Sequence, residues 1–228
     1  MSGGGDPTGR GLPRAVEVAA ALAGLAVAAP FLLIAGAAIF LTTGKSPIFR
    51  QQRVGRSGRL FTLVKLRTMR TSAGAAVTAR GDARVTRVGR LLRRTKIDEL
   101  PELWNVLAGD MAFVGPRPEV PRYFDAADPR WRAILGARPG LTDPVTLRLR
   151  DEEELLAGVA GDREAFYRAH LQPWKLRRYA AYLEQRSWRS DLAVLRDTAR
   201  AVLRPSSARP PTLDDILAEG LQTHADAR

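Results

Sequence analysis

Two adjacent carboxylates, Asp98 and Glu99, are the residues whose type and setting point most directly to chemistry. They lie in the segment 94–118, with arginines and lysines upstream and a Gly-Pro-Arg-Pro turn at 115–118 downstream. Carboxylates that neighbour cations and glycine turns are typical of phosphoryl chemistry, because phosphate needs positive charge and a carboxylate can react or bind a metal. The segment therefore indicates action on a phosphorylated substrate.

Three basic residues are candidates for holding the phosphates. Lys65 and Arg67 close a predicted strand, and strand alternation places both side chains on one face, suited to gripping a diphosphate. Arg117 lies between Pro116 and Pro118, which stiffen its backbone and fix the direction of the guanidinium. The structural alternatives are a solvated strand edge for the first two and an ordinary proline-rich turn for the third.

The position of Pro101 bears on where the helix carrying the carboxylates begins. Proline is accepted in the first turn of a helix but clashes in its interior. With Asp98 as N-cap, Pro101 falls in the first turn, and both carboxylates lie at the positive end of the helix, where phosphate also binds. The apolar face would comprise Leu100, Leu103, Trp104 and Leu107. In the alternative, Asp98 is only a cap and Glu99 only a favourable first-turn charge.

The composition limits the possible functions. The 228 residues suffice for one sizeable core with tails. Lys and Arg number 36 against 24 Asp and Glu, and the net charge of +12 suits an anionic membrane surface, a phosphorylated substrate or nucleic acid. Cysteine is absent and histidine occurs only 2 times, so disulfides, thiolate nucleophiles and cysteine- or histidine-rich metal sites are excluded. A carboxylate is therefore the expected acid, base or nucleophile.

An uncharged stretch near the N-terminus predicts a membrane helix. Its apolar part, Val18–Leu41, would reach roughly 36 Å as a helix, enough to cross a bilayer core of about 30 Å. Pro30 lies in its middle, where it removes a hydrogen bond and bends the helix, and both flanks are positively charged. These features predict a re-entrant helix, broken near Pro30, that enters and leaves by the cytoplasmic face. The alternative is a simple spanning helix with a harmless kink.

The remaining sequence predicts one small, helix-rich α/β domain. Ile48–Gln52 and Leu60–Leu66 flank a turn of glycine and arginine and predict a β-hairpin. The segment 85–94 has apolar residues at helical spacing between arginines, which predicts an amphipathic helix on the membrane surface, and Val120–Leu135 is expected to behave likewise. The expected division is a flexible tail at 1–13, the re-entrant helix at 14–44, a catalytic domain at 45–203, and a linker with a C-terminal tail at 204–228.

In their order along the chain, these motifs resemble those of the bacterial sugar transferases, the monotopic polyprenyl-phosphate phosphoglycosyltransferases. The resemblance covers roughly residues 14–203, and several long motifs in fixed order make it specific. The stretches that match are Ser46–Gly55, Phe61–Met69, Arg87–Val106, Gly109–Glu119 and Arg138–Pro144, with a looser match at Tyr182 and Ser190–Leu192.

The resemblance implies a fold, a place and a reaction. A membrane-dipping helix would anchor a cytoplasmic catalytic domain to the inner leaflet of the plasma membrane. Asp98 would attack the β-phosphate of a UDP-sugar, release UMP and carry a phosphosugar on its carboxylate. Polyprenyl (undecaprenyl) phosphate would then take up the sugar phosphate, in the first membrane step of polysaccharide or glycoconjugate synthesis.

The resemblance also implies roles for the remaining candidates. Asp98 and Glu99 would bind Mg²⁺, and Glu99 would assist proton transfer. Lys65, Arg67 and Arg117 would hold the phosphates. Asp191 is a weaker candidate for the same task, since it could instead cap a helix. The partners implied are a UDP-sugar, polyprenyl phosphate and inner-leaflet lipids; a homodimer is left open, and nucleic acid is not expected.

Two departures from the family pattern are visible. Ala29-Pro30 stands where the family often has Ser-Pro, so the predicted break lacks a hydroxyl that could satisfy freed backbone groups. Asp143-Pro144 stands where many members have a glycine and an aromatic residue, which could shift the choice of substrate. The chain resembles the short form of the family. A competing hypothesis is a membrane-tethered, arginine-rich nucleic-acid-binding or scaffold protein, which explains the charge but gives Asp98 and Glu99 no role.

Overall fold

The structure is a computed structural model that describes residues 10–70, 81–149, 152–203 and 211–225. Most of the predicted tail at 1–13, the linker at 204–210 and the last three residues lie outside these ranges. The helices are α1 (Arg14–Thr43), α2 (Arg87–Thr95), α3 (Leu103–Ala108), α4 (Pro129–Leu135), α5 (Pro144–Arg148), α6 (Glu152–Ala157), α7 (Arg163–Phe166), α8 (Gln172–Glu184), α9 (Trp188–Leu203) and α10 (Leu213–Ala225). The strands are β1 (Ile48–Val54), β2 (Leu60–Leu66), β3 (Ala112–Val114) and β4 (Gly140–Thr142).

Helix α1 is, within the described residues, the one helix whose length and composition would let it cross a membrane, with a mean hydropathy of 2.4 in its most apolar window. Pro30 lies inside it without interrupting it. Proline removes only one backbone donor, and the turns on either side keep their own hydrogen bonds. The predicted break near Pro30 is therefore corrected to a proline within one helix, while the re-entrant topology stays a prediction.

One face of α1 packs on the rest of the protein along nearly its whole length. The buried residues of this face recur at helical spacing and are Glu17, Ala21, Ala28, Ala35 and Ile39. The N-terminal half of the helix contacts a core cluster that includes Val106 and Met111. The C-terminal half contacts a second cluster that includes Leu66 and Leu92. The other face is exposed and apolar, with Leu33, Ile34 and Leu41 more than two-thirds exposed. The helix thus lies along the domain instead of projecting from it.

The predicted β-hairpin is confirmed. Strands β1 and β2 pair antiparallel, with Ile48 opposite Leu66 and Val54 opposite Leu60, so β1 runs two residues beyond its predicted end. By alternation Leu63 and Lys65 share one face of β2, where Leu63 is buried, and Leu66 is buried on the other face.

Strands β3 and β4 form a second, parallel pair that positions the turn bearing Arg117. The two backbones approach closely at Gly115 and Gly140. A Cβ on Gly140 would lie 2.1 Å from the Gly115 nitrogen, and one on Gly115 would lie 2.4 Å from the Arg138 carbonyl oxygen. Only glycine fits at either position, so the glycines of this turn and of β4 are required by packing.

The prediction that Val120–Leu135 forms a helix on the membrane surface is wrong. The segment contains a single 3₁₀ turn at Pro121–Tyr123 and then α4, and its large side chains are buried. Pro121 and Pro129 prevent one continuous helix. The aromatic residues pack in the largest core, which includes Tyr123, Trp131, Ile134, Leu156, Trp174 and Ile216. Ile216 belongs to α10, so the predicted C-terminal tail is docked on the domain at this point.

Candidate active site

An open cavity of about 1710 Å³ gathers five of the six predicted site residues. Its walls come from β2, the segment between α2 and α3, the turn after β3, and helices α8 and α9. The five residues in its lining are Lys65, Arg67, Asp98, Glu99 and Arg117. The cavity also reaches α1 at Ala20 and Gly24, next to the apolar Leu100 and Leu103. Charged groups and an apolar helix therefore border the same space.

The carboxylates lie on a 3₁₀ helix, Ile97–Glu102, and not at the start of a longer α-helix. Helix α2 ends at Thr95, Lys96 adopts the left-handed conformation (φ 60°), and α3 begins only at Leu103. The prediction that Asp98 caps the helix is therefore wrong: Lys96 precedes the 3₁₀ helix, and Asp98 lies in its first turn without a capping hydrogen bond. Pro101 is tolerated because the α-helical ladder starts after it.

The predicted apolar face is also only partly correct. Leu103 is buried, but Trp104 is 58% exposed. The buried positions of this region include two polar residues, Glu102 and Asn105. Asn105 is satisfied, since its side chain donates to the Thr62 carbonyl oxygen at 2.7 Å and accepts from the Val64 nitrogen at 3.1 Å. These bonds tie the carboxylate-bearing segment to β2.

Asp98 is buried and incompletely satisfied. Only 5% of its surface is exposed, and its Oδ1 has no hydrogen-bond partner among the described residues. Burial, followed by the charge of Glu99, raises the pKa of the Asp98 carboxyl above its usual value, and Lys65 and Lys96 oppose that rise. A buried carboxylate oxygen without a donor is costly. The arrangement is suited to a ligand that supplies the missing contact.

Glu99, in contrast, is firmly paired. The Arg117 guanidinium donates to Glu99 Oε1 at 2.7 Å. Burial alone would raise the pKa of Glu99, but the charges of Arg117, Lys96 and Lys65 outweigh it and hold this pKa at about 2. Glu99 raises the pKa of Arg117 in turn, despite the opposing effect of burial. The pair is therefore ionised at neutral pH, and one of the two carboxylates is fixed by a cation.

Lys65 and Arg67 both face the cavity but differ in how they are held. Arg67 donates from Nε to the Ser46 carbonyl oxygen at 2.8 Å and from Nη2 to that of Ile48 at 3.3 Å. The Lys65 side chain makes no hydrogen bond or ion pair within the described part of the chain. Burial lowers the pKa of its ammonium group, and the charge of Glu102 partly offsets this. Lys65 is thus the less constrained of the two cations.

Two further residues of the site were not predicted. Glu102 is 1% exposed with Oε1 unpartnered in the described residues, and burial, then repulsion from Glu99, raise its pKa to about 7. Its position three residues after Glu99, on the same side of a helical turn, was the available signal. Arg53 on β1 donates to the Pro118 carbonyl oxygen at 2.9 Å and thereby braces the turn that carries Arg117. Nothing local in the sequence indicates that contact.

The structure does not bring Asp191 to the other predicted residues. It is fully buried on α9, outside the cavity lining. It forms an ion pair with Arg186 at 3.0 Å, and accepts hydrogen bonds from the Tyr182 hydroxyl at 2.5 Å and the Leu12 nitrogen at 3.0 Å. Arg186 also donates to the Val114 carbonyl oxygen at 2.8 Å. These contacts join α9, β3 and the segment before α1.

The residues present fit a magnesium ion that also binds substrate phosphates. No group of three or more histidine or acidic side chains that could hold a metal occurs among the described residues. Mg²⁺ does not need such a cage, because it is commonly held by one or two carboxylates together with phosphate oxygens and water. The unpartnered Oδ1 of Asp98, with Glu99 adjacent, provides suitable oxygen donors.

The cavity thus combines one unpartnered carboxylate, one carboxylate paired with a cation, flanking basic residues and an apolar helix alongside. The chain belongs to the bacterial sugar transferase family, whose model matches residues 9–205. The resemblance found in the motifs is thereby confirmed.

Relatives with named activities support the same family. The UDP-glucose:undecaprenyl-phosphate glucose-1-phosphate transferase of Caulobacter vibrioides is 40% identical over 202 residues, which cover 86% of this chain and 71% of the relative. The putative undecaprenyl-phosphate N-acetylgalactosaminyl 1-phosphate transferase of Bacillus subtilis is 47% identical over 113 residues, 48% of this chain and 63% of the relative. The undecaprenyl-phosphate galactose phosphotransferase of Salmonella typhimurium is 30% identical over 223 residues, 87% of this chain but 42% of the relative.

Proposed function

We propose that this protein transfers a sugar 1-phosphate from a UDP-sugar to undecaprenyl phosphate and releases UMP, in polysaccharide or glycoconjugate synthesis. The observation that carries the proposal is the unpartnered, buried Oδ1 of Asp98 beside the Glu99–Arg117 pair. The names of the relatives support the same substrates, and they differ in the sugar.

The proposed reaction has two displacements at one phosphorus atom. In the first, an Asp98 oxygen attacks the β-phosphorus, and the bond to the bridging oxygen breaks. UMP leaves with that oxygen and its electron pair, and Asp98 carries the sugar phosphate as an acyl phosphate. In the second, an oxygen of undecaprenyl phosphate attacks the same phosphorus and the Asp98 carboxylate leaves. Burial favours this chemistry because it leaves the carboxylate poorly solvated, with a raised pKa.

The basic residues of the cavity are proposed to hold the diphosphate. Arg117 and Lys65 would neutralise the diphosphate oxygens. Arg67 would donate from Nη1, since its Nε and Nη2 bond the carbonyl oxygens of Ser46 and Ile48. Glu99, kept ionised by Arg117, would fix the Arg117 guanidinium; a pKa of about 2 makes it a weak base, so the role in proton transfer that the resemblance implies is not part of this proposal. Asp191 is assigned a positioning role, because its contacts hold α9 against β3.

Asp98 and Glu99 are the proposed ligands of Mg²⁺. When bound, the ion would neutralise charge on the diphosphate and favour departure of UMP. The carboxylates would retain their positions through the 3₁₀ helix and the Arg117 pair.

The packing of α1 supports a re-entrant helix with the domain on the cytoplasmic face of the inner membrane. Near its start, Arg14 donates to the Leu107 carbonyl oxygen at 2.9 Å; near its end, Ile39 packs against Leu66 and Leu92. Because both ends contact the same domain, a spanning α1 would draw charged parts of that domain into the bilayer, which is unfavourable. The exposed apolar face of α1 would meet lipid, and its two positive flanks would stay on one side.

The proposed activity is tested by UMP release from membranes supplied with Mg²⁺, undecaprenyl phosphate and a panel of UDP-sugars. Wild type should release UMP with at least one donor, and Asp98→Asn should abolish release while leaving expression and membrane attachment intact. Asp197→Asn is the matched control, since Asp197 is exposed on α9 and outside the cavity lining. Absence of UMP with every donor would favour the nucleic-acid-binding or scaffold alternative.

The proposed topology has its own test, which the absence of cysteine simplifies. Single-cysteine variants Ser2→Cys and Ser46→Cys place one thiol on either side of the helix. Both should react with an impermeant maleimide only when the cytoplasmic face is accessible. Labelling of Ser2→Cys from the periplasmic side would contradict the re-entrant helix.

A further inference from the structure

The cavity contains a second region whose character differs from that of the carboxylate site. Its lining includes Tyr123, Tyr167, Lys175 and Tyr179. Lys175 is neutralised, since its Nζ donates to the two oxygens of Glu152 at 2.9 and 2.8 Å and lies 5.1 Å from the centre of the Tyr167 ring. This region therefore presents aromatic rings and a closed ion pair, whereas the region around Arg117 and Lys65 mixes cations with the carboxylates of Asp98, Glu99 and Glu102.

Two phenol groups in this region have no hydrogen-bond partner of normal geometry in the described residues. Tyr179 and Tyr123 are 4% and 5% exposed, and neither buried hydroxyl makes a hydrogen bond of normal geometry, although the backbone N–H of Arg117 lies close enough to the Tyr179 oxygen to lower its pKa slightly. Burial, and then the charges of Asp143 and Glu152, raise the pKa of Tyr179 well above its usual value, so its hydroxyl remains a donor. A buried hydroxyl without a partner is costly, and a ligand that supplies one is favoured.

Tyr179 also adjoins the phosphate-binding part of the site. It projects from α8, and the backbone of Arg117 neighbours its hydroxyl. In a UDP-sugar the hexose is bonded to the β-phosphate, the one that Asp98 attacks, whereas the nucleoside lies one phosphate further away. A group bound beside Arg117 and close to the reacting phosphorus is therefore the hexose. Aromatic walls with a few fixed polar groups suit a neutral, hydroxyl-bearing ring.

We infer that the region lined by Tyr123, Tyr167, Lys175 and Tyr179 is the hexose subsite, and that Tyr179 donates a hydrogen bond to a hexose hydroxyl and so determines which sugar is used. This inference rests on the proposed function. It gives a physical reason for selectivity, because a site built to bond one hydroxyl rejects an epimer that leaves the phenol unpaired. The relatives named for glucose, galactose and N-acetylgalactosamine show that the sugar varies within the family.

The test compares wild type with Tyr179→Phe on UDP-glucose, UDP-galactose and their N-acetylated counterparts. The kcat/KM ratio between the preferred donor and its C4 epimer should fall about tenfold in the variant, the loss expected for one neutral hydrogen bond at the upper end of its range. The thermal stability of the variant should stay close to that of wild type, since the hydroxyl that it removes makes no hydrogen bond of normal geometry within the described residues. Tyr182→Phe is the matched control on α8, because the Tyr182 hydroxyl bonds Asp191 and does not line the cavity; its donor ratio should not change.

Several results would overturn the inference. A proportional loss with every donor would show that Tyr179 only supports Arg117. A wild type that uses all epimers equally would show that the region does not select the hexose. If Tyr179→Phe changes only the kcat/KM ratio between UDP-glucose and its 2′-deoxyuridine analogue, the region binds the nucleoside and not the hexose. If wild type releases no UMP from any donor, the proposed function falls together with this inference, whereas transfer with an unchanged ratio in Tyr179→Phe overturns this inference alone.

Discussion

Arg117 donates to Glu99 Oε1 at 2.7 Å, while the neighbouring Asp98 keeps an oxygen without a partner. Two adjacent carboxylates are thus held differently, and in the proposed reaction this difference gives them different tasks. The paired carboxylate stays ionised and fixed, and the unpaired one is available to a phosphorus atom or a metal. The close approach of Gly115 to Gly140 sets this division, since it determines where Arg117 lies.

Replacing Arg117 should damage catalysis more than folding. Arg117→Gln removes a cation proposed to hold the diphosphate and releases Glu99, so kcat/KM for the donor should fall by about 10²–10³-fold. Steady-state UMP release measures the effect, with Arg196→Gln on the exposed face of α9 as control. A variant that keeps activity within a few-fold of wild type would exclude Arg117 from phosphate binding.

Glu102 should make stability depend on pH. Its pKa of about 7 in the folded state lies above the ordinary 4.5. A raised folded-state pKa means that the stabilising contribution is complete below pH 4.5 and is lost as the pH rises through 7. Relative to Glu102→Gln, wild type should therefore lose up to about 3 kcal/mol between pH 4.5 and pH 8. Unfolding in detergent at both pH values measures this, with the exposed Glu184→Gln as control. A difference that does not vary with pH would contradict the prediction.

Much of the site was predictable because its residues are adjacent in sequence or fixed by local rules. Strand alternation predicted that Lys65 and Arg67 share a face, and the Pro-Arg-Pro turn singled out Arg117; all three line the cavity, and their binding of phosphate stays a prediction. The predicted helix start at Asp98 was wrong because it assumed one helix with Pro101 in its first turn. The chain instead forms a 3₁₀ helix that contains Pro101, and α3 begins after it. The left-handed Lys96 between α2 and the 3₁₀ helix has no local sequence signal.

Several contacts that the sequence did not predict join distant parts of the chain. Glu17 and Arg138 are 121 positions apart, and Arg53 reaches Pro118 across 65 positions. No spacing rule reports such pairs. The aromatic residues of 120–135 were predicted to meet the membrane because an amphipathic segment looks the same whether lipid or a protein core covers it; here the core that includes Trp174 covers them.

The pair of Glu17 and Arg138 should be a main link between α1 and the domain. The two side chains are 1% and 7% exposed, lie 2.7 Å apart, and Glu17 also accepts from the Phe113 nitrogen at 3.2 Å. Glu17→Ala should cost about 3–5 kcal/mol, because it leaves Arg138 buried and unpaired. The double variant Glu17→Leu with Arg138→Met should recover part of that loss.

Unfolding in detergent gives these values, and Asp197→Ala, which breaks exposed pairs on α9, is the control expected to show no measurable change. If replacing Glu17 or Arg138 lowers the free energy of unfolding no more than this control does, the buried pair does not hold α1 in place.

Asp191 was predicted to bind phosphate, whereas in the structure it is buried and paired with Arg186. If its task is to pair with Arg186, Asp191→Asn should lose about 3 kcal/mol of stability and keep the wild-type KM for the donor in the protein that remains folded. Thermal unfolding and donor titration measure the two effects. A raised KM at unchanged stability would instead support direct phosphate binding by Asp191.

The proposed reaction passes through a covalent phosphosugar on Asp98, and isotope exchange detects this intermediate without an acceptor. Labelled UMP is incubated with the unlabelled preferred UDP-sugar and Mg²⁺ in the absence of any polyprenyl phosphate. Wild type should move label into the UDP-sugar, because the first displacement is reversible and needs no acceptor, and Asp98→Asn should move none. Exchange that persists in Asp98→Asn, or that is absent from a wild type active in complete transfer, would show that transfer does not pass through a phosphosugar on Asp98.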